Sequence, residues 1–572
     1  MFTDDTLKKK QLLDEQLMAA MKAMPAEAIP PPPPPATNLS GITLKPSYGP
    51  DDIKDLDFQD VGIPGNFPFT RGNYPFHYQV EPMLMNQGYG FATTEETRER
   101  REFLQSLGSR SQGGLVTAVM TLDLPTQRGL DPDHPAAKGK VGECGCSFST
   151  IDDFAEYFDG LDITKLFTAL LAIDNALPIN ALFAAYILDR RKENLADMWN
   201  LPCNLFHHQQ FWDAAGYPPK TALKMSTELI KWHADNMPLA CPGAFDGYNL
   251  GESGATPAME VAFAMAHTIA AVEECQKVGL DPNDVVAKYL GHPHVSQNFF
   301  EEVAKLRATR RLWAKIFAQR FGVTNPDALR HKIIIAQTAG NELTAQEIYN
   351  NIIRVTVMTM AGMMADIEGM WVVSYDEAIS IPTEEAVKVC VRTYQILQEE
   401  TDLPHVTDPL GGSYYVEWLT NQMEQEILKI MDQMDQMGGY LKCWESGWIR
   451  GQVQEAAAKR FDKIQSGELV KVGVNKYRVE EANPEPNIYR RPIEIEEKAI
   501  ERIKKYKANR DNEKVKAALE NVKIAAIKVD KEWPSSGGVL MPALVEAARA
   551  GATAGEMSKV MQENLGYGYF SG

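Results

Sequence analysis

Between about residue 60 and 465, short apolar runs rich in β-branched residues alternate with amphipathic helical stretches, and this alternation limits the possible folds more than any other feature. Gly114-Leu-Val-Thr-Ala-Val-Met-Thr-Leu122 is apolar enough to be a strand buried on both faces, and it ends at the polar segment Asp123-Leu-Pro-Thr-Gln-Arg-Gly129. Leu166 to Leu188 holds a second apolar run, broken at Asp174-Asn175, and Lys332-Ile-Ile-Ile-Ala-Gln337 a third. Leu343-Thr-Ala-Gln-Glu-Ile-Tyr-Asn-Asn351 then reads as a helix, with Thr344 placed to cap its first turn. Strand, loop and helix in repetition build a parallel sheet, because a parallel partner is reached only through a crossover. Over this length the pattern predicts an α/β chain whose core, residues 41–465, is a (β/α)8 TIM barrel. The loops after the strands carry the chemistry in that fold, so 123–129, 246–252, 291–298 and 337–341 are the candidate segments.

The flanks have a different texture. Residues 1–40 comprise a Lys/Gln/Leu/Met-rich helix ending at Pro25 and then a proline run, Pro30 to Pro35, which is a stiff extended spacer. It is either a tail or an arm that wraps a partner subunit. Residues 466–572 are charged and helical: Ile493 to Lys507 and Lys514 to Val522 have polar faces, and a last helix follows Pro534-Ser-Ser-Gly-Gly538.

A net charge of -19 argues against nucleic acid as a partner, because no basic stripe is available to neutralise phosphates. No apolar run reaches membrane-spanning length, and Met1 to Lys10 mixes charges of both signs without the apolar stretch of a secretory signal. The 7 cysteines are scattered, which predicts reduced thiols and a cytoplasmic setting. Cys144-Gly-Cys146 lacks the second pair that zinc needs, so no metal site is expected.

A set of local strings narrows the reading. They are Phe69-Thr-Arg-Gly-Asn-Tyr74, Asp123 to Gly129 with Asp133-His-Pro135, and Gly247-Tyr248 with Glu252-Ser-Gly-Ala-Thr256. Asn298-Phe-Phe300 with Glu302-Val-Ala-Lys-Leu-Arg307, Leu343 to Asn351, Gly473-Val-Asn-Lys-Tyr477 and Gly555-Glu-Met557 continue the series. In this order and spacing the chain resembles the large subunit of the methylmalonyl-CoA mutase family. The resemblance implies a radical isomerase, in which adenosylcobalamin supplies the hydrogen-abstracting radical and the protein supplies position and a dry cavity. The family's cobalamin domain bears Asp-x-His-x-x-Gly. None of the 10 histidines here stands in that motif; only Asp131-Pro-Asp-His134 comes near it. The expectation is therefore a barrel subunit working with a small cobalamin-binding subunit, as in isobutyryl-CoA and 2-hydroxyisobutyryl-CoA mutases, with a G-protein chaperone for cofactor loading as a further partner. The segment 466–572 would then extend toward the small subunit.

Residue by residue, the resemblance keeps the cofactor side and changes the substrate side. Gln337, Glu252 and Glu377 match positions that contact the cofactor. The family's tyrosine over the cofactor face falls on Gly88, after Gln87, with Tyr89 one place later; either Tyr89 restores the ring, or the gap leaves room for a bulkier acyl group. The arginine that holds a substrate carboxylate falls on Trp212, which has neither charge nor a bidentate fork. The histidine that bonds the thioester carbonyl falls on Asn249, beside Tyr248. Asn249, Tyr248 and Tyr89 are the catalytic candidates. Along the expected CoA path stand Phe76, Glu81, Leu84, Asn86, Lys288 and Leu290, of which Lys288 alone is positive, and His292 and His294 are donors at the barrel mouth. The substrate expected is an acyl-CoA without methylmalonyl-CoA's free carboxylate. A mutase acting on a free acid and a non-catalytic assembly subunit are the alternatives.

Overall fold

The apolar runs become short parallel strands. The computed structural model describes residues 3–22, 36–108, 116–202, 215–479, 492 and 494–569; the Pro30 to Pro35 run and Trp212 lie outside them. The parallel strands are β1 (Leu84–Met85), β2 (Val116–Thr121), β3 (Leu166–Leu171), β4 (Trp199–Leu201), β5 (Gly243–Asp246), β6 (Tyr289–His292), β7 (His294–Val295), β8 (Ala336–Thr338) and β9 (Gly369–Trp371). They pair in the orders β2-β3-β4, β5-β6 and β7-β8-β9-β1, every pair parallel.

Isolated backbone bonds run between these sheets. Tyr89, just past β1, bridges Met120 of β2. Cys241 N–H donates to Asn200 O of β4 at 2.8 Å, and Gly291 N–H of β6 donates to Lys332 O at 2.7 Å. Val119, Ala169, Leu201 and Leu290, from different strands, meet Ile335, just before β8, in one buried apolar cluster on which Trp371 packs. Helices cover the opposite faces. Pro257–Lys277 lies on β5, its start set by Pro257 and by Thr256, whose hydroxyl accepts Met259 N–H. The fold is thus helix-rich α/β with parallel sheets.

The helix Phe299–Phe321 is enclosed along most of its length and buries four cations. Lys305 pairs with Glu260 (2.8 Å) and Glu302 (2.6 Å), Arg307 with Asp408 and Glu417, and Arg311 with Glu424. Arg310 donates to the carbonyls of Phe69 and Thr70, in the first family-like string.

Local expectations hold unevenly. The run Leu166 to Leu188 breaks at Asp174-Asn175 into β3 and the helix Ala176–Ala185. The predicted helix over 343–351 starts only at Asn350, and Thr344 does not cap it. Instead Asn351 bonds both the N–H and the C=O of Thr344, and Glu347 takes φ 47°, so the segment stays a loop. The residues after 466 fold back over the strands' helical cover. Leu540, Met541 and Leu544 of Leu540–Ala550 are fully buried in the same core as Ala176–Ala185. No helix among the described residues is long and apolar enough to cross a membrane.

Candidate active site

Asp246 closes β5 with no exposure, and its two carboxylate oxygens organise the groups around it. Oδ1 accepts Tyr248 N–H (3.0 Å), which starts the short helix Tyr248–Glu252, and Oδ2 accepts Asn249 Nδ2–H (2.7 Å). Residue 247 must be glycine here, because a Cβ would overlap the Glu260 carboxylate. His292 ends β6 in register with Asp246, and its Nδ1 lies 3.2 Å from Oδ1. The far ring nitrogen, Nε2, meets Gln337 Oε1 at 3.1 Å, and the Tyr248 ring stacks on the imidazole at 5.1 Å and 23°.

The neighbouring shell is ionic. Glu252 accepts Gly340 N–H (2.7 Å) and Asn341 N–H (3.1 Å), tying the β5 loop to the β8 loop. His294 packs against Gly251, with Nε2 3.2 Å from Glu252 but outside hydrogen-bonding alignment. Its own N–H donates to Glu260 (3.0 Å), and its carbonyl takes a hydrogen bond from Lys305.

Burial alone would hold His292 neutral, but the Asp246 carboxylate outweighs it and raises the imidazole above its ordinary pKa. His294 is raised in the same way, burial opposing and Glu252 prevailing. Glu377 is exposed where it lines the neighbouring cavity. The surrounding protein, with Asp376 and Glu252 adding like charge, pushes it up to about 7.

That cavity, about 420 Å³, lies beyond β1, β2 and β9 and is lined by Gln87, Gly88, Thr121, Cys144, Trp371 and Glu377. Gln87 is pinned by Nε2–H bonds to Val372 O (2.9 Å) and Cys390 Sγ (3.0 Å). The space beside Gly88 is filled: a Cβ there would fall inside the Trp371 ring, whose strand position pairs with Gln337. The gap that the sequence suggested for a bulkier acyl group is occupied by this indole. Tyr89 also lines this cavity, but its side chain is buried, with its hydroxyl 2.9 Å from that of Tyr157.

Tyr248, Asn249, Glu252, His292, His294 and Gln337 therefore converge at the carboxyl ends of β5 to β8, and Gln87, Gly88 and Glu377 stand across from them. Lys288 precedes β6 at the other end of the strands, bonded to Pro238 O. Of the expected CoA-path residues, Phe76 is exposed and Leu84 buried. Asn86 donates to Ile334 O (2.6 Å), and Leu290 sits in the cluster between the strands. Sequence reasoning missed Asp246 and Trp371. Asp246 carried a faint signal as the first residue of a candidate loop, whereas Trp371 carried none.

Parallel strands under helices, with polar side chains gathered beyond the strands' carboxyl ends, define an α/β enzyme. The family model described as methylmalonyl-CoA mutase matches residues 37–567, so the chain belongs to that family and is an isomerase, an intramolecular transferase. It is 34% identical over 513 residues to the 2-hydroxyisobutanoyl-CoA mutase large subunit of Aquincola tertiaricarbonis, covering 89% of this chain and 88% of that protein. It is 33% identical to the methylmalonyl-CoA mutase large subunit of Propionibacterium freudenreichii subsp. shermanii (91% and 70% covered) and 31% identical to the mitochondrial methylmalonyl-CoA mutase of Homo sapiens (92% and 68%).

Proposed function

We propose that this chain is the substrate-binding (β/α)8 barrel of an adenosylcobalamin-dependent mutase that isomerises the carbon skeleton of an acyl-CoA. Barrel closure is supported by the bonds between sheets, which link β1 to β2, β4 to β5 and β6 to β8, with β7 continuing β6 past Pro293. The observation that carries the function is the convergence of Asp246, Tyr248, Asn249, His292 and Gln337 at one end of the strands, facing Gly88 and Trp371.

The chain's groups fit the cofactor. Glu377 lines the 420 Å³ cavity, Glu252 and Gln337 stand at the neighbouring strand ends, and Asn249 Oδ1 is buried without a hydrogen-bond partner. Adenosylcobalamin, when bound, supplies hydrogen abstraction from an unactivated carbon through homolysis of its cobalt–carbon bond. The protein's share is to hold the acyl group against the strand ends and to exclude water. The axial histidine would come from a small cobalamin-binding subunit, loaded with help from a G-protein chaperone, in the cytoplasm.

The substrate side favours a neutral acyl group. Lys305, the cation nearest His294, is fully buried and already paired with two carboxylates, and Trp212 supplies no charge. An unpaired substrate carboxylate in such a site costs several kcal/mol. The test is to reconstitute the chain with a small cobalamin-binding subunit, follow adenosylcobalamin by its visible spectrum, and assay dicarboxylic, branched and aryl acyl-CoA esters. Cofactor binding that needs the small subunit, with turnover of uncharged esters, is expected. A histidine-ligated spectrum from this chain alone, or efficient succinyl-CoA turnover, refutes it.

A further inference from the structure

Asn249 stands where the resemblance expects a histidine that bonds the thioester carbonyl, and its amide is committed elsewhere. Nδ2–H donates to Asp246 at 2.7 Å, so the atom left without a partner is Oδ1, an acceptor. The opposite amide orientation would set two oxygens face to face. Lys305 is held by Glu260 and Glu302, and Lys288 lies at the other end of the strands.

Among the described residues at the ends of β5 to β8 two imidazoles are raised above their ordinary pKa, His292 and His294, and of these His292 has a second acceptor on its far nitrogen. His292 lies between two acceptors, the Asp246 carboxylate at 3.2 Å and Gln337 Oε1 at 3.1 Å, an arrangement that suits a ring protonated on both nitrogens. The Tyr248 stack fixes its plane, and 16% of the side chain stays exposed. Both separations are long for charge-assisted bonds, so an incoming acceptor can share Nε2–H with Gln337.

We propose that His292 has taken over the carbonyl-binding role, donating Nε2–H to the thioester oxygen of the acyl-CoA, with Asp246 as the positioning residue that keeps the ring charged. This rests on the acyl-CoA reading above. The proton stays on the imidazole and no bond changes partner. Asp246 offsets the imidazolium charge, so the pair serves a neutral carbonyl and does not draw in a carboxylate. The charged or titratable groups facing the ring among the described residues are Asp246 and Tyr248 from the β5 segment and Glu260 from the helix behind it, with His294 and Glu252 on the far side of Tyr248.

The pH dependence has a definite sign. Below its raised pKa, His292 carries protons on both nitrogens and Nε2 donates. Above it, the remaining proton stays on Nδ1 facing Asp246, and Nε2 becomes an acceptor. The carbonyl preference is therefore present at low pH and lost as pH rises through the raised value.

The experiment uses the full chain and two probes, isobutyryl-CoA and S-isobutyl-CoA, which differ in the carbonyl alone. Affinities are measured by calorimetry from pH 6 to 9 for wild type, His292→Phe and Asp246→Asn. Wild type should prefer the thioester by roughly 10- to 100-fold at the acid end, the range for a hydrogen bond to a charged group. That preference should fade as pH rises, be absent in His292→Phe, and fade at lower pH in Asp246→Asn. A preference that survives His292→Phe, or a midpoint unmoved by Asp246→Asn, overturns the proposal. Equal binding of both probes by wild type overturns the donor role and leaves the acyl-CoA reading standing. Binding of neither probe removes both.

Discussion

Gly88 and Trp371 form a reciprocal pair whose energetics can be isolated. The backbone at Gly88 lies outside the left-handed region, so alanine meets no conformational penalty there. In an open site Gly88→Ala would stabilise the fold by about 0.4–1 kcal/mol, through the unfolded chain. Here the added Cβ falls inside the indole of Trp371, far within the roughly 3.5–4.0 Å at which carbons rest. Trp371 is hydrogen-bonded into neighbouring strands through its backbone and cannot step aside as a unit, so the ring must rotate or β9 must shift, at about 1–3 kcal/mol. For a chain of 572 residues, with an unfolding entropy of about 2.1 cal/mol/K per residue, a 2 kcal/mol loss lowers Tm by only about 2 °C. The assay is a double-mutant cycle by differential scanning fluorimetry on Gly88→Ala, Trp371→Ala and the pair. Gly88→Ala should destabilise wild type and be neutral or stabilising beside Trp371→Ala. An equal cost in both backgrounds would refute the steric account.

Three further outcomes follow. Lys305→Met should cost about 3–5 kcal/mol, because Glu260 and Glu302 are left buried as unpaired charges, and Glu260→Gln should recover part of the loss in thermal scans. Glu301 accepts the N–H groups of Leu39 and Ser40, yet burial raises it to about 7. A carboxyl raised on folding makes stability fall as pH climbs from its ordinary value toward 7, so Tm for wild type relative to Glu301→Gln should drop between pH 5 and 8; a constant difference would dismiss the shift. Tyr89→Phe removes one hydroxyl contact in the core and should cost about 1 kcal/mol while leaving adenosylcobalamin binding unchanged. Weakened cofactor binding would return Tyr89 to the site.

Elements long in apolar residues were legible, and positions defined by partners were not. Gly114 to Leu122 and Leu166 to Leu188 announce β2, β3 and the following helix because burial on both faces demands continuous apolar sequence. The loop at 343–349 was read as helix because its local propensity is helical, whereas its conformation is set by Asn351 bonding back to it. Tyr248, Asn249, Glu252, His292, His294 and Gln337, which the structure brings together at the strand ends, were singled out through the resemblance and the rule that strand-end loops carry chemistry. Asp246 and Trp371 act through neighbours distant in sequence, at 292 and 88, and a linear reading gives no reason to join them.

Two of the four buried cations of Phe299–Phe321 set an order on biosynthesis. Arg307 and Arg311 find their carboxylates at 408, 417 and 424, about a hundred residues later in the chain. While a ribosome is still translating that interval, the helix exists with these two charges unanswered, although Lys305 and Arg310 already have partners, and sealing it into an apolar interior would strand Arg307 and Arg311. Residues up to about 320 must therefore wait, partly open to water, until the helix Tyr414–Gln436 has emerged. A nascent chain arrested before residue 408 should remain protease-sensitive through 299–321, and one released past 436 should become resistant there.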